Sequence, residues 1–436
     1  MKNTVRKDKK QILIMEAYTD ANVGSASLIE NAVKLCRKYF PDFELRILAQ
    51  QRKHVEDFCK VDTYSEVFQL PVGKHRLRQM LWLISTVTWM ILHYLILLLR
   101  LGIPPKIYTL NRERLKALEQ IKDSKVCISI GAERMNDNFV LGMPFSLYSL
   151  WLIKKYGKKL ILFPQTIGPF YRKISKHFSK KILEKCDFVF LRDKRSVEIM
   201  DSFGIDKNKY AFLPDIAILQ EPIGIDERII IWKKENIPFD KEKLSGISAM
   251  HWSYANAKGN YSDYDVYKRS IAKAVDYMIE KYDYRIVFVP TNVGVHGCRE
   301  DDIKVAKEIM ELIKRKDKTH SINNLYKPAE LKGLIGDMDM FLATRMHSCI
   351  FSTGMFTPTF SINYQFKLYE YMKLHGLQDN TVDIEKVTFE KLKQLIDYTY
   401  ENRKQIRKSL EQSVNNMKAH IYETMEKTFV RLINEH

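Results

Sequence analysis

The sequence predicts an α/β protein built from two Rossmann-like domains that face a cleft. Three observations carry this. The 436 residues are too many for one simple core and suit two domains of ordinary size. Short apolar runs alternate with helical segments, the pattern of a parallel sheet covered on both faces. The alternation stops at a segment punctuated by Pro214, Pro222 and Gly224, and then begins again.

The elements follow in order. Gln11 to Ala17 (QILIMEA) is a short apolar run with polar bounds and reads as the first strand. Gly24 to Tyr39 carries helical spacing at Ala26, Ile29 and Val33. Phe43–Ala49, Lys125–Gly131, Lys159–Pro164 and Asp187–Leu191 are further strands. Beyond the linker, Leu244–Met250, Arg285–Pro290, Asp337–Ala343 and Thr357–Asn363 are strands. Lys268–Tyr282, Asp301–Lys314 and Lys327–Gly336 are the helices between them, and the chain is polar and helical from Phe389. The expected domains are therefore residues 1–218 and 219–436, with ligands bound at the carboxyl ends of the strands.

Composition narrows the function. The hydrophobic share of 45% and charged share of 28% are those of a folded globular protein. The net charge of +18 is spread along the chain without a nucleic-acid reader motif, so no nucleic-acid partner is expected. The densest basic stretch, Phe170 to Lys185, holds six Lys or Arg and one Glu. It suits a solvated helix face or attraction to anionic headgroups. Six cysteines without a CxxC spacing read as reduced thiols, and the basic N-terminus leads into no signal peptide, so a cytoplasmic location is expected.

Residues 80–99 are twenty in a row without Asp, Glu, Lys or Arg, long enough to cross a bilayer. A single crossing would split the first sheet. A helix lying on the inner face of the cytoplasmic membrane is the favoured expectation, giving peripheral contact, with a buried core helix as the close alternative.

The strongest chemical signal follows a strand: Ala343-Thr344-Arg345-Met346-His347-Ser348. A strand-to-helix turn favours an anion, Arg adds a fork suited to phosphate or carboxylate, and His exchanges a proton near neutral pH. Taken alone, Arg-x-His is a weak signal, and a solvated Arg beside a helix-capping His is the commoner reading of it. Arg192, in Leu191-Arg192-Asp193, stands at another strand end, where it could oppose Arg345 or simply pair with Asp193. Gln165, Asn22 and Glu133 also follow strands, on the expected cleft side. There is no P-loop, no dinucleotide fingerprint and no metal-ligand spacing, so neither a cofactor nor a metal is expected.

The order of these pieces resembles the polysaccharide pyruvyl transferase family. The resemblance rests on Asn22-Val23-Gly24, Gly131, Gln165-Thr166-Ile167-Gly168-Pro169, Leu191-Arg192-Asp193 with Ser196, Pro214-Asp215, Glu330 with Lys332-Gly333, Thr344-Arg345-Met346-His347-Ser348 and Tyr364-Gln365-Phe366-Lys367. It implies a glycosyltransferase-B-like fold. It also implies transfer of pyruvate from phosphoenolpyruvate to two hydroxyls of one sugar, in a cell-surface polysaccharide or its lipid-linked precursor. The resemblance makes Arg345 and His347 catalytic. It makes Arg192, Arg345, His347 and Lys367 donor-binding, and puts Asn22, Glu133, Gln165 and Glu330 on the acceptor side. The competing expectation is a glycosyltransferase with a nucleotide-sugar donor, in which Arg345 holds a diphosphate and Glu330 a ribose or base.

Overall fold

A computed structural model of the chain describes residues 10–71, 75–131, 133–139, 142–238, 243–251, 261–296, 298 and 300–434. It contains two compact units. Unit 1 comprises Met1–Asp20, Leu28–Asp215 and Glu423–His436; unit 2 comprises Ala21–Ser27 and Ile216–Tyr422. The expected single boundary between residues 218 and 219 therefore needs correction, because the chain passes between units more than once. Residues 21–23 join unit 2 through backbone bonds, Val23 N to Thr291 O at 2.9 Å and Val293 N to Ala21 O at 3.0 Å. The C-terminal segment joins unit 1, where Phe429 packs edge-on against Phe40 and Phe163.

Unit 1 is a parallel sheet in the order β3-β2-β1-β4-β5-β6-β7. The strands are β1 (Gln11–Ala17), β2 (Glu44–Ala49), β3 (Thr63–Ser65), β4 (Val126–Ser129), β5 (Lys159–Gln165), β6 (Phe188–Leu191) and β7 (Tyr210–Phe212). Its helices are α1 (Val23–Tyr39), α2 (Arg52–Cys59), α3 (Arg76–Leu98), α4 (Pro105–Tyr108), α5 (Arg112–Asp123), α6 (Met143–Lys155), α7 (Lys173–Leu183) and α8 (Lys194–Ser202). Right-handed crossovers send α1 and α2 to one face and α3 to α8 to the other. The second face has one continuous core, in which Trp89, Leu118, Ile153, Leu183 and Met200 meet Leu13, Leu160 and Val189.

The long apolar helix α3 matches neither expectation fully. One stripe (Thr86, Trp89, His93, Ile96) is buried in that core. Arg114 anchors it, donating to Thr86 Oγ1 at 3.2 Å with its guanidinium 4.4 Å from the Trp89 ring. The opposite stripe is exposed. Both flanking strands belong to the same sheet, which rules out a single crossing in this fold.

Unit 2 repeats the plan with the order β10-β9-β8-β11-β12-β13. Its strands are β8 (Leu244–Ile247), β9 (Arg285–Phe288), β10 (Thr319–Ser321), β11 (Met340–Ala343), β12 (Thr359–Asn363) and β13 (Thr381–Asp383). Its helices are α9 (Ile225–Lys234), α10 (Tyr261–Tyr282), α11 (Asp302–Leu312), α12 (Pro328–Gly336), α13 (Met346–Gly354), α14 (Phe366–Leu374) and α15 (Phe389–Thr424); α16 (Val430–Asn434) lies in unit 1. In each sheet strand order reverses once, beside β1/β4 and beside β8/β11. Ligands of such sheets bind at the carboxyl ends next to that reversal.

Candidate functional site

Arg345 stands at the reversal point of unit 2. The apolar run of β11 ends at Ala343, and the next residues are fastened to the end of β8. Ser248 Oγ accepts from Thr344 N at 3.0 Å and lies 2.6 Å from Ser348 Oγ, which donates to Arg345 O at 2.7 Å. Arg345 is thereby held extended at the start of α13 with its side chain turned inward. The guanidinium bonds Asp302 Oδ1 at 2.6 Å and pairs with Glu300. Asp302 Oδ2 also accepts from Thr291 N at 3.0 Å and Asn292 N at 2.9 Å, and Asn292 Nδ2 holds Glu300 at 2.6 Å. Burial works against the charge on Arg345, but Asp302 and Glu300 outweigh it and keep the guanidinium protonated.

His347, on the first turn of α13, lies directly against Gly24. A β-carbon at Gly24 would come within 2.0 Å of His347 Nδ1, so only glycine fits there. Asn22 fixes this approach: its side chain accepts from Ser25 N at 2.8 Å, capping α1, and residue 22 bridges to Asn292. Two sequence motifs more than three hundred residues apart thus form one site within unit 2. The starts of α1, α11 and α13 contribute to it, and helix starts attract anions. Lys367, buried in the first turn of α14, sits 5.0 Å over the Tyr364 ring. Glu330 caps α12, accepting from Lys327 N at 2.6 Å. This bond gives it a structural role that sequence reasoning did not anticipate.

The other expected residues collect in unit 1. Arg192 follows β6, two strands beyond that sheet's reversal point. It donates to Thr166 Oγ1 at 2.9 Å, Asp215 Oδ2 at 2.6 Å and Glu133 Oε1 at 3.2 Å. Asp193 caps α8 through Ser196 N at 2.8 Å and so does not pair with Arg192 in the way sequence neighbourhood suggested. Gln165 is buried and donates to Ser129 Oγ at 2.8 Å.

Sequence reasoning missed Glu16. It lies on β1 with a left-handed φ of 65°, where the pairing of β1 with β2 shifts register. The hydroxyls of Ser129 and Ser146 donate to its carboxylate, and a β-carbon at Gly131 would meet that carboxylate at 2.5 Å. Arg134 lies 3.9 Å from it and 3.2 Å from Glu66, whose carboxyl is pushed up by burial. A lone acidic residue near the carboxyl end of an apolar strand was the available signal. Glu300 and Asp302 were also missed, since nothing local in the sequence links them to Arg345.

Comparisons with known proteins bear on the family and the fold. A family model described as polysaccharide pyruvyl transferase matches residues 22–365. The amylovoran biosynthesis protein AmsJ of Erwinia amylovora is 24% identical over 275 residues, covering 58% of this chain and 62% of AmsJ. Among solved structures, the UDP-bound MnaA of S. aureus superposes with a TM-score of 0.59 at 11% identity, covering 98% of each chain. The UDP-GlcNAc 2-epimerase of Neisseria meningitidis gives 0.55 at 12% identity, covering 96% of this chain and 100% of the epimerase. At such identities the structural likeness establishes the fold alone, a glycosyltransferase-B-like α/β fold.

Proposed function

The chain belongs to the polysaccharide pyruvyl transferase family, a family of transferases, and from that premise we propose that it transfers pyruvate from phosphoenolpyruvate to a sugar. The acceptor is a residue of a cell-surface polysaccharide or its lipid-linked precursor, and the product is a cyclic pyruvyl ketal. The observation that carries this reading is the seating of His347 on Gly24 beside the buried Arg345.

The donor has a phosphate, a carboxylate and a nucleophilic methylene carbon. In this reading His347 delivers a proton to the methylene, leaving a cation at the central carbon. The first sugar hydroxyl bonds to that carbon and returns its proton to His347. The second hydroxyl then displaces phosphate, which departs with the carbon–oxygen electron pair and takes up that hydroxyl's proton, and the ketal closes. Arg345 stabilises the anion by exchanging its outer carboxylate, Glu300, for a donor oxygen while Asp302 keeps its place. Arg192 has a similar arrangement, with Glu133 as the outer carboxylate, and Lys367 adds a further cation. Asn22, Gln165 and Glu133 remain acceptor-side candidates. These steps need no metal, so activity should survive EDTA. Complete loss restored by magnesium would contradict that.

A nucleotide-sugar donor is the second reading, favoured by the UDP complexes among the structural neighbours. Against it, Glu330, the expected ribose or base contact, is engaged in capping α12. The test is mass spectrometry of candidate glycans incubated with phosphoenolpyruvate, with phosphate release followed in parallel. Ketal formation with phosphoenolpyruvate as sole donor supports the proposal; product that requires a nucleotide sugar overturns it.

A further inference from the structure

Helix α3 presents to solvent a stripe that water does not favour. Leu77, Leu81, Ile84, Ile91, Leu95 and Leu98 recur at helical spacing and are all exposed, Ile84 to 57%. Apolar exposure continues past the helix end through Leu101, Ile107 and Leu110. A contiguous apolar surface of this length on a folded protein marks an interaction site. The helix is not a core helix, because of its 23 residues only Thr86, Trp89, His93 and Ile96 are buried.

The charge pattern selects the partner. From Val67 to Arg112 there is no Asp or Glu and there are six Lys or Arg, among them Arg76, Arg78, Arg100 and Lys106 around the stripe. Pairing two copies of the chain through this stripe would set cations against cations with no acid in the segment to offset them. An anionic bilayer offers both complements, acyl chains for the stripe and phosphates for the bases. On the same face of the sheet, α7 repeats the combination. Tyr171, Ile174 and Phe178 are exposed there beside Arg172, Lys173, Lys176, Lys180 and Lys181.

We infer that α3 and the turn that follows it dock unit 1 onto an anionic phospholipid surface. The helix lies in the plane of the membrane. Its 23 residues, about 34 Å at 1.5 Å per residue, keep one stripe in the protein core and put the other at the boundary of headgroups and acyl chains. The inference does not depend on the donor or on the Arg345 site.

The test is co-sedimentation of the full chain with phosphatidylcholine vesicles, with and without phosphatidylglycerol. Binding should require phosphatidylglycerol and weaken as salt rises. The combined variant Leu81→Gln, Ile84→Gln, Ile91→Gln and Leu95→Gln should lose at least roughly tenfold in partitioning with an unchanged melting temperature, since these side chains face water. Arg76→Ser and Arg78→Ser should each lose roughly fivefold on anionic vesicles. The charge variants keep the test decisive should the apolar variant fail to fold. Absence of wild-type binding to anionic vesicles overturns the inference, as does binding unaffected by either set of substitutions. A concentration-dependent dimer that the glutamine variant dissolves, without vesicle binding, assigns the stripe to a second copy and also overturns it.

Discussion

Arg192 and Arg345 each follow a buried parallel strand, and each holds one deep carboxylate and one shallower one. The deep partners, Asp215 and Asp302, have side chains 1% and 2% exposed, while Glu133 and Glu300 retain 19% and 26%. The difference lies in position and company. Arg345 stands where strand order reverses and has His347 two residues further on, against the capped start of α1. Arg192 lies two strands from the reversal in its own sheet, and its turn is tied up by Thr166, Asp193 and Ser196. Two turns that look alike in sequence thus have different chemical reach, and the electrostatic pairing alone does not distinguish them.

The largest effects should be common to both turns. Asp302→Asn and Asp215→Asn each leave a buried guanidinium short of its counter-charge, and each should cost about 3–5 kcal/mol. Urea unfolding measures this; a cost under roughly 1 kcal/mol at either site would break the likeness between the two arginines. Gly24→Ala should separate the turns. Its β-carbon displaces the His347 ring, so turnover should fall about 10²-fold with the fold retained. The double variant Gly24→Ala, His347→Gln should be little worse than His347→Gln alone, because both changes act on one group. Additive losses would mean that Gly24 serves something other than the imidazole.

The smallest effects concern the shallow carboxylates. Glu300→Gln and Glu133→Gln remove a competitor for each arginine. Donor binding should tighten roughly two- to fivefold at Arg345, and at Arg192 only if that residue also meets the donor. Isothermal titration with phosphoenolpyruvate reads both. Weaker binding in Glu300→Gln would show that this carboxylate helps the donor rather than competing with it.

Every central strand of both sheets was legible in the sequence as a short apolar run. Among the described residues, the four strands it did not reveal, β3, β7, β10 and β13, are the edges of the two sheets and span three residues each. Three residues are too few to establish a period, and their pairing is decided by the neighbouring strand. The Arg345–His347 turn was legible because it follows a buried strand. Its partners were not, since Glu300 and Asp302 come from the segment leading into α11 and that helix's first residue, and Gly24 comes from the other end of the chain. Composition exposed α3 as an apolar stretch. That one stripe is core and the other is surface depends on Arg114, Phe68 and Tyr148, which pack from elsewhere in the unit.

Running the transfer in deuterium oxide with phosphoenolpyruvate as the only donor tests the central claim most directly. The account predicts a ketal whose methyl group carries one deuterium, formed by the wild-type protein with release of phosphate. The folded His347→Gln variant should form it on the order of 10² to 10⁴ times more slowly. A ketal without deuterium, product formed only with a nucleotide sugar, or a folded His347→Gln variant working at the wild-type rate would contradict it.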